Sequence, residues 1–181
     1  MALPPLSLPL LALAAIALPA QPAQAARRIY SYDPANAAAR VLAEDGFTFV
    51  FDDAPLRGQK VRTVLSNHAN AEAPLQPASE DALGATLEAL AGKPVREREL
   101  YEIVKKENGD ALARAACPGA ERAWLAFGPL KRARDLAIQV FGRDPGGKPR
   151  FCATLQFTWR GEWRLPDTVG SMRPDLGPRP Q

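Results

Sequence analysis

Phe151-Cys152-Ala153-Thr154-Leu155-Gln156-Phe157-Thr158-Trp159 sets Phe151, Ala153, Leu155, Phe157 and Trp159 on one side of an extended chain. Cys152, Thr154, Gln156 and Thr158 fall on the other side. A period of two marks a half-buried β-strand. Reading outward, Asp144-Pro145-Gly146-Gly147-Lys148-Pro149 is a turn, and residues 135–141 place Leu136, Ile138 and Val140 on a matching face. Gly128-Pro129 breaks the chain before that. Residues 122–127 read as a further strand behind the turn Cys117-Pro118-Gly119. Strands that follow one another through short turns build an antiparallel meander.

Nearer the N-terminus the pattern changes. The Glu, Lys and Arg content of residues 95–107 favours a helix, with Leu100, Ile103 and Val104 on one face. Asn108-Gly109, however, is a strong hairpin turn, and the hairpin reading makes residues 100–104 and 111–117 its arms. Ser79 before Glu80 and Asp81, a stripe of Leu83, Leu87 and Leu90, and a stop at Gly92 and Pro94 predict a helix. Residues 67–77 carry two prolines and no period, and read as loop. Phe47-Thr48-Phe49-Val50-Phe51 is a buried strand by its aromatic and β-branched content. After a turn at Asp52-Asp53-Ala54-Pro55, residues 60–65 alternate loosely as another. Asp33-Pro34 opens an alanine-rich helix that Gly46 can end. The expected fold is α+β: two N-terminal helices packed on a mainly antiparallel β-sheet (a meander), in one domain over residues 26–165. Residues 166–181 form a Pro/Gly-rich unstructured tail.

Residues 1–25 read as a secretory signal peptide. Residues 6–18 are apolar apart from Ser7 and Pro9 and carry no charge, and Ala23-Gln24-Ala25 offers small residues for signal peptidase. The stretch is shorter than the ~20 apolar residues of a membrane span and contains proline, so no transmembrane segment is expected in the mature chain. Residues 1–5 lack Lys and Arg, an unusual start for such a segment. The expected location is periplasmic or secreted. In an oxidising compartment the two cysteines, Cys117 and Cys152, are expected to pair. The bridge would close a loop of about 36 residues, worth roughly 4 kcal/mol. The alternation puts Cys152 on the outer face of its strand.

Charge is unevenly spread along the chain. Residues 27–92 hold six basic and nine acidic side chains, and residues 93–165 hold fifteen and nine. A basic second half suits anionic partners such as cell-wall polymers or lipid head groups. Export removes nucleic acid from the partner classes, and Lys131-Arg132-Ala133-Arg134 lacks aromatic interleaving and reads as a solvated loop. The string from Gly142 to Lys148 matches part of a phosphate-binding loop, yet Pro149 stands where Ser or Thr must hold Mg²⁺, and a strand follows instead of a helix. His68 is the single histidine, there is no metal-ligand spacing, and no G-x-S-x-G elbow is present. Asp52-Asp53 reads as a pair of turn carboxylates, with acid–base chemistry as the alternative.

Trp159-Arg160-Gly161-Glu162-Trp163-Arg164 gathers two of the three tryptophans beside two arginines around a tight turn. Trp159, Arg160, Trp163 and Arg164 are therefore the candidate binding surface, suited to stacking a sugar or an aromatic ligand. The competing reading makes Trp159 core and lets Trp163 close a hairpin edge. The expected function is that of a small exported, non-enzymatic binding or accessory protein of the cell envelope. Its partner would be an envelope protein or an anionic envelope polymer, with no cofactor, metal or catalytic residue. The alternative is a small hydrolase acting on envelope material through carboxylates such as Asp52 or Asp53.

Overall fold

Ile29-Tyr30-Ser31-Tyr32 repeats the alternation of residues 151–159. In the computed structural model, which describes residues 26–54, 58–66 and 71–163, it forms the strand β1 (Ala26–Pro34). The chain continues as α1 (Ala37–Ala43), β2 (Phe47–Ala54), β3 (Gly58–Ser66) and β4 (Ala71–Ala78). Next come α2 (Glu80–Leu83), α3 (Leu87–Ala91), β5 (Glu99–Ile103) and α4 (Gly109–Ala116). It ends in β6 (Arg122–Phe127), β7 (Leu136–Arg143) and β8 (Pro149–Trp163). Every strand pairs antiparallel with the next, and β8 returns to β1, with Ile29 opposite Trp163 and Tyr32 opposite Trp159. The result is a closed eight-stranded barrel, not the expected α+β arrangement of helices on an open sheet. Closure satisfies both ladder edges, which an open meander leaves unpaired.

Eight strands enclose a space that side chains can fill. Here aromatic rings fill it. Tyr30 meets Trp159 and Phe51 edge-on at 4.7 and 4.8 Å, Phe47 stacks on Phe157 at 5.3 Å, and Tyr101 stacks on Phe127 at 4.9 Å. Aliphatic residues Ile103, Leu125, Ile138, Val140 and Leu155 complete this core. The alternation is apolar inside and largely polar outside, the reverse of a barrel that meets lipid with its outer wall. No helix among the described residues is long and apolar enough to cross a membrane.

The helices cover the barrel. α1 joins β1 to β2 and α4 joins β5 to β6, so both lie at the same end and bury Leu42 and Leu112 over the core. α2 and α3 instead pack on the outer wall. Their Leu83 and Leu87 form a second cluster with Val95, Leu100, Trp124, Ala126 and Phe141. The predicted helix from Ser79 is thus two short ones, because Gly84 adopts a left-handed φ of 86° and ends the first. The predicted first helix starts later. Asp33 and Pro34 finish β1, and Asn36 caps α1 by accepting from the Ala39 N–H at 2.9 Å.

Two further expectations are corrected. Residues 111–117 are not a hairpin arm: 111–116 belong to α4, with Leu112, Ala113 and Ala116 buried at helical spacing, and Cys117 caps its C-terminal end. The stretch read as loop contains β4 despite Pro74 and Pro77. Its first half pairs with β3 and its second with β5, so each proline has a flank where its missing N–H is not needed.

Bulges explain where the period of two slips. Phe51 pairs with Val61 but Val50 with Thr63, so Arg62 is extra and Val61 and Val64 both reach the core. Phe141 pairs with Phe151 but Val140 with Ala153, so Cys152 is extra. Phe151 therefore turns outward to the second cluster, and Cys152 packs against the barrel core rather than lying on the outer face. Cys152 is bonded to Cys117, at the C-terminal end of α4, with Cα atoms 5.4 Å apart.

Buried tyrosines give the barrel an alkaline limit. Burial, followed by the Glu99 carboxylate that accepts from its hydroxyl at 3.2 Å, pushes Tyr101 up to about 12. Burial raises Tyr32 further still. A raised folded pKa means that the neutral phenol is the form the barrel holds. Its contribution is complete below the unfolded value of about 10 and is lost as pH rises through the folded value. Thermal midpoints should fall steeply between pH 10 and 12, and Tyr101→Phe should flatten that fall. An unchanged slope in the variant would remove Tyr101 as a cause.

Candidate functional site

The last turn of residues in β8 does not form the expected tight loop. It continues as strand with a bulge, because Tyr32 faces Trp159 while Ser31 faces Gly161. The bulge separates the four predicted surface residues. Trp159 points into the barrel, edge-on to Tyr30 at 4.7 Å and Tyr32 at 5.6 Å, and belongs to the core. Arg160 lies outside, its guanidinium 3.5 Å from Asp33 and donating to the Asp45 carbonyl at 3.3 Å. Trp163 is also outside and is 61 % exposed, the more exposed partner of the β1–β8 pair with Ile29. Arg164 lies beyond the described residues, as do His68, the signal segment and the tail.

Arg160 and Trp163 share a groove of about 280 Å³ with Ser31, Asp45, Gly46 and Thr48, across the outer face of β8, β1 and β2. Ser31 and Thr48 share a hydrogen bond of 2.9 Å between their hydroxyls. Gly46 has a left-handed φ of 108°, and a Cβ there would sit 3.1 Å from Arg160 Nη1. Glycine at this position both makes the turn into β2 and leaves the guanidinium its seat. Ser31, Asp45, Gly46 and Thr48 escape sequence reasoning. The only local trace is the outward phase of Ser31 between two tyrosines.

The inner side of the same strands holds an ionic cluster. Glu162, whose side chain is only 10 % exposed, pairs with Arg28 at 3.2 Å and Arg132 at 3.4 Å. Arg28 also pairs with Asp53 at 3.1 Å. Asp52 faces the other way and is held by Arg62 at 2.5 Å and Arg27 at 3.6 Å. The two neighbouring aspartates therefore stand on opposite faces of β2, each bound by guanidinium groups. They do not face each other across a cleft.

Around that cluster the barrel end is basic. The β6–β7 connection is drawn across it by Gln59, whose amide donates to the Leu130 carbonyl at 2.6 Å and accepts from the Leu130 N–H at 2.7 Å. Leu130 is buried as a plug, while residues 131–135 beyond it are exposed. Lys60, Lys131 and Arg134 stand here with no ion pair among the described residues. The string from Gly142 to Lys148 is the end of β7 and its turn into β8, with no helix behind it to cradle a phosphate. Among the described residues no three His, Cys, Asp or Glu side chains converge to hold a metal ion. No family model, curated protein or solved structure matches the chain.

Proposed function

We propose that this chain is exported and acts outside the cytoplasm as a small non-enzymatic binding protein, its partner an anionic component of the cell envelope. The observation that carries the reading is the collection of exposed basic side chains at one barrel end: Lys60, Lys131 and Arg134, with no ion pair among the described residues, beside Arg27, Arg62 and Arg132. An exposed, positively charged end attracts a polyanion without needing a pocket. The leader-like residues 1–25 and the Cys117–Cys152 bridge both suit an oxidising compartment. Carboxylate hydrolysis has less support, since Asp52 and Asp53 are each engaged by arginine and stand apart.

Protein recovered from cells should begin near Ala26 and hold no free thiol. It should co-sediment with phosphatidylglycerol vesicles at low salt and leave them as salt rises. Lys131→Glu with Arg134→Glu should weaken that binding by roughly thirtyfold, at ~1 kcal/mol for each basic residue removed from an anionic surface. Equal binding to uncharged phosphatidylcholine vesicles would sink the reading.

A further inference from the structure

We propose that the outer groove over β8, β1 and β2 is a subsite for one neutral sugar ring of an envelope glycan. The inference rests on the envelope-binding reading and names the part of the partner that the basic end does not hold. Trp163 is the one tryptophan that the fold leaves open. Trp124 is wholly buried and Trp159 is packed into the core, whereas Trp163 is 61 % exposed. An indole face left in water at a groove wall is a platform for the C–H face of a pyranose, with its apolar body on one side and polar partners beside it.

Those partners are present on the other walls. The Ser31 and Thr48 hydroxyls, 2.9 Å apart, donate and accept in either direction. Arg160 is oriented by Asp33 and by the Asp45 carbonyl yet remains about half exposed, with N–H donors left for a ligand. Among the described residues, Asp33 and Asp45 stand beside one arginine and leave the groove without surplus positive charge, so it suits hydroxyl groups rather than a carboxylate or phosphate. At about 280 Å³ it lies just under the ~300–1,000 Å³ of sites that enclose whole small molecules, which fits one ring of a longer chain. Gly46 completes the case, because any side chain there would press on Arg160. The anionic units of the same glycan, extending along β1 toward Arg27, would then meet the basic end.

The test is a titration of the oxidised protein with neutral gluco-, manno- and N-acetylglucosamine tetrasaccharides and, as the charged comparison, oligogalacturonate. Binding is read from the Trp163 indole N–H resonance and from protection against iodide quenching. A neutral oligosaccharide should perturb Trp163 selectively, and Trp163→Ala should weaken binding by about tenfold, with Trp163→Phe in between. Gly46→Ala should weaken it too. Trp163→Ala should keep its vesicle binding, and the Lys131→Glu/Arg134→Glu protein should keep its sugar binding. If vesicles bind but no neutral sugar moves the Trp163 signal, or oligogalacturonate alone does, the subsite is wrong and the envelope reading stands. If neither binds, both fall.

Discussion

Replacing Cys117 and Cys152 together with alanine is expected to lower the unfolding free energy by about 4 kcal/mol. The bridge spans 35 residues, and in the chain-entropy model a loop of that size restricts the unfolded chain by about that amount. For a domain whose whole stability is ~5–15 kcal/mol this is a large fraction. The bridge ties the C-terminal end of α4 to the bulge in β8, so its loss should loosen the capped end of the barrel first. Gly142 on β7 is part of the same arrangement. A Cβ there would overlap Cys117 Sγ and lie 2.8 Å from Ala120 Cβ and 3.2 Å from Cys152 Sγ. Gly142→Ala should therefore cost about 2–3 kcal/mol in the oxidised protein. It should cost less in the double-alanine background, where both sulfurs are gone. Urea unfolding of the four proteins measures both effects, and strict additivity would contradict the packing.

Gly109→Ala should be at least as damaging, by about 3 kcal/mol or more, although Gly→Ala inside a helix ordinarily gains about 1 kcal/mol. A Cβ at the first residue of α4 would overlap the Val104 carbonyl oxygen and sit 2.9 Å from its carbon. Both obstacles are backbone, so the helix itself must move. Moving it withdraws Leu112, Ala113 and Ala116 from the core. Gly146→Ala in the β7–β8 turn is the control. A Cβ there meets nothing within 4 Å, and the change should stay within about 0.5 kcal/mol. Similar midpoints for the two variants would show that α4 is not seated as described.

Gly109 also illustrates why the local reading failed where it did. Asn-Gly after an apolar run favours a hairpin, yet this glycine is present because a helix passes close to a carbonyl made by the preceding strand. Nothing within the string distinguishes the two demands. Residues 159–163 misled in a similar way. Arg-Gly-Glu between tryptophans resembles a turn, but pairing with β1 keeps it extended and absorbs Arg160 as a bulge. Of the candidate surface, Arg160 and Trp163 do line one groove and Trp159 does not. The remaining groove residues come from β1, β2 and the turn between α1 and β2, more than 100 residues away in the chain.

The amino-acid order by itself determined most extended segments from residue 47 onward, and both cysteines as a pair. These depend on side-chain period, turn chemistry and cysteine count, all of which are local or compositional. Tertiary structure alone decided that the meander closes, that Cys152 turns inward, and that Trp163 remains open while Trp159 does not. Closure depends on β1 meeting β8, a contact between the two ends of the barrel chain that gains its free energy only once six strands between them are in place. A one-residue bulge then sets which face each later side chain takes. No local period records that choice, because it is made by the partner strand.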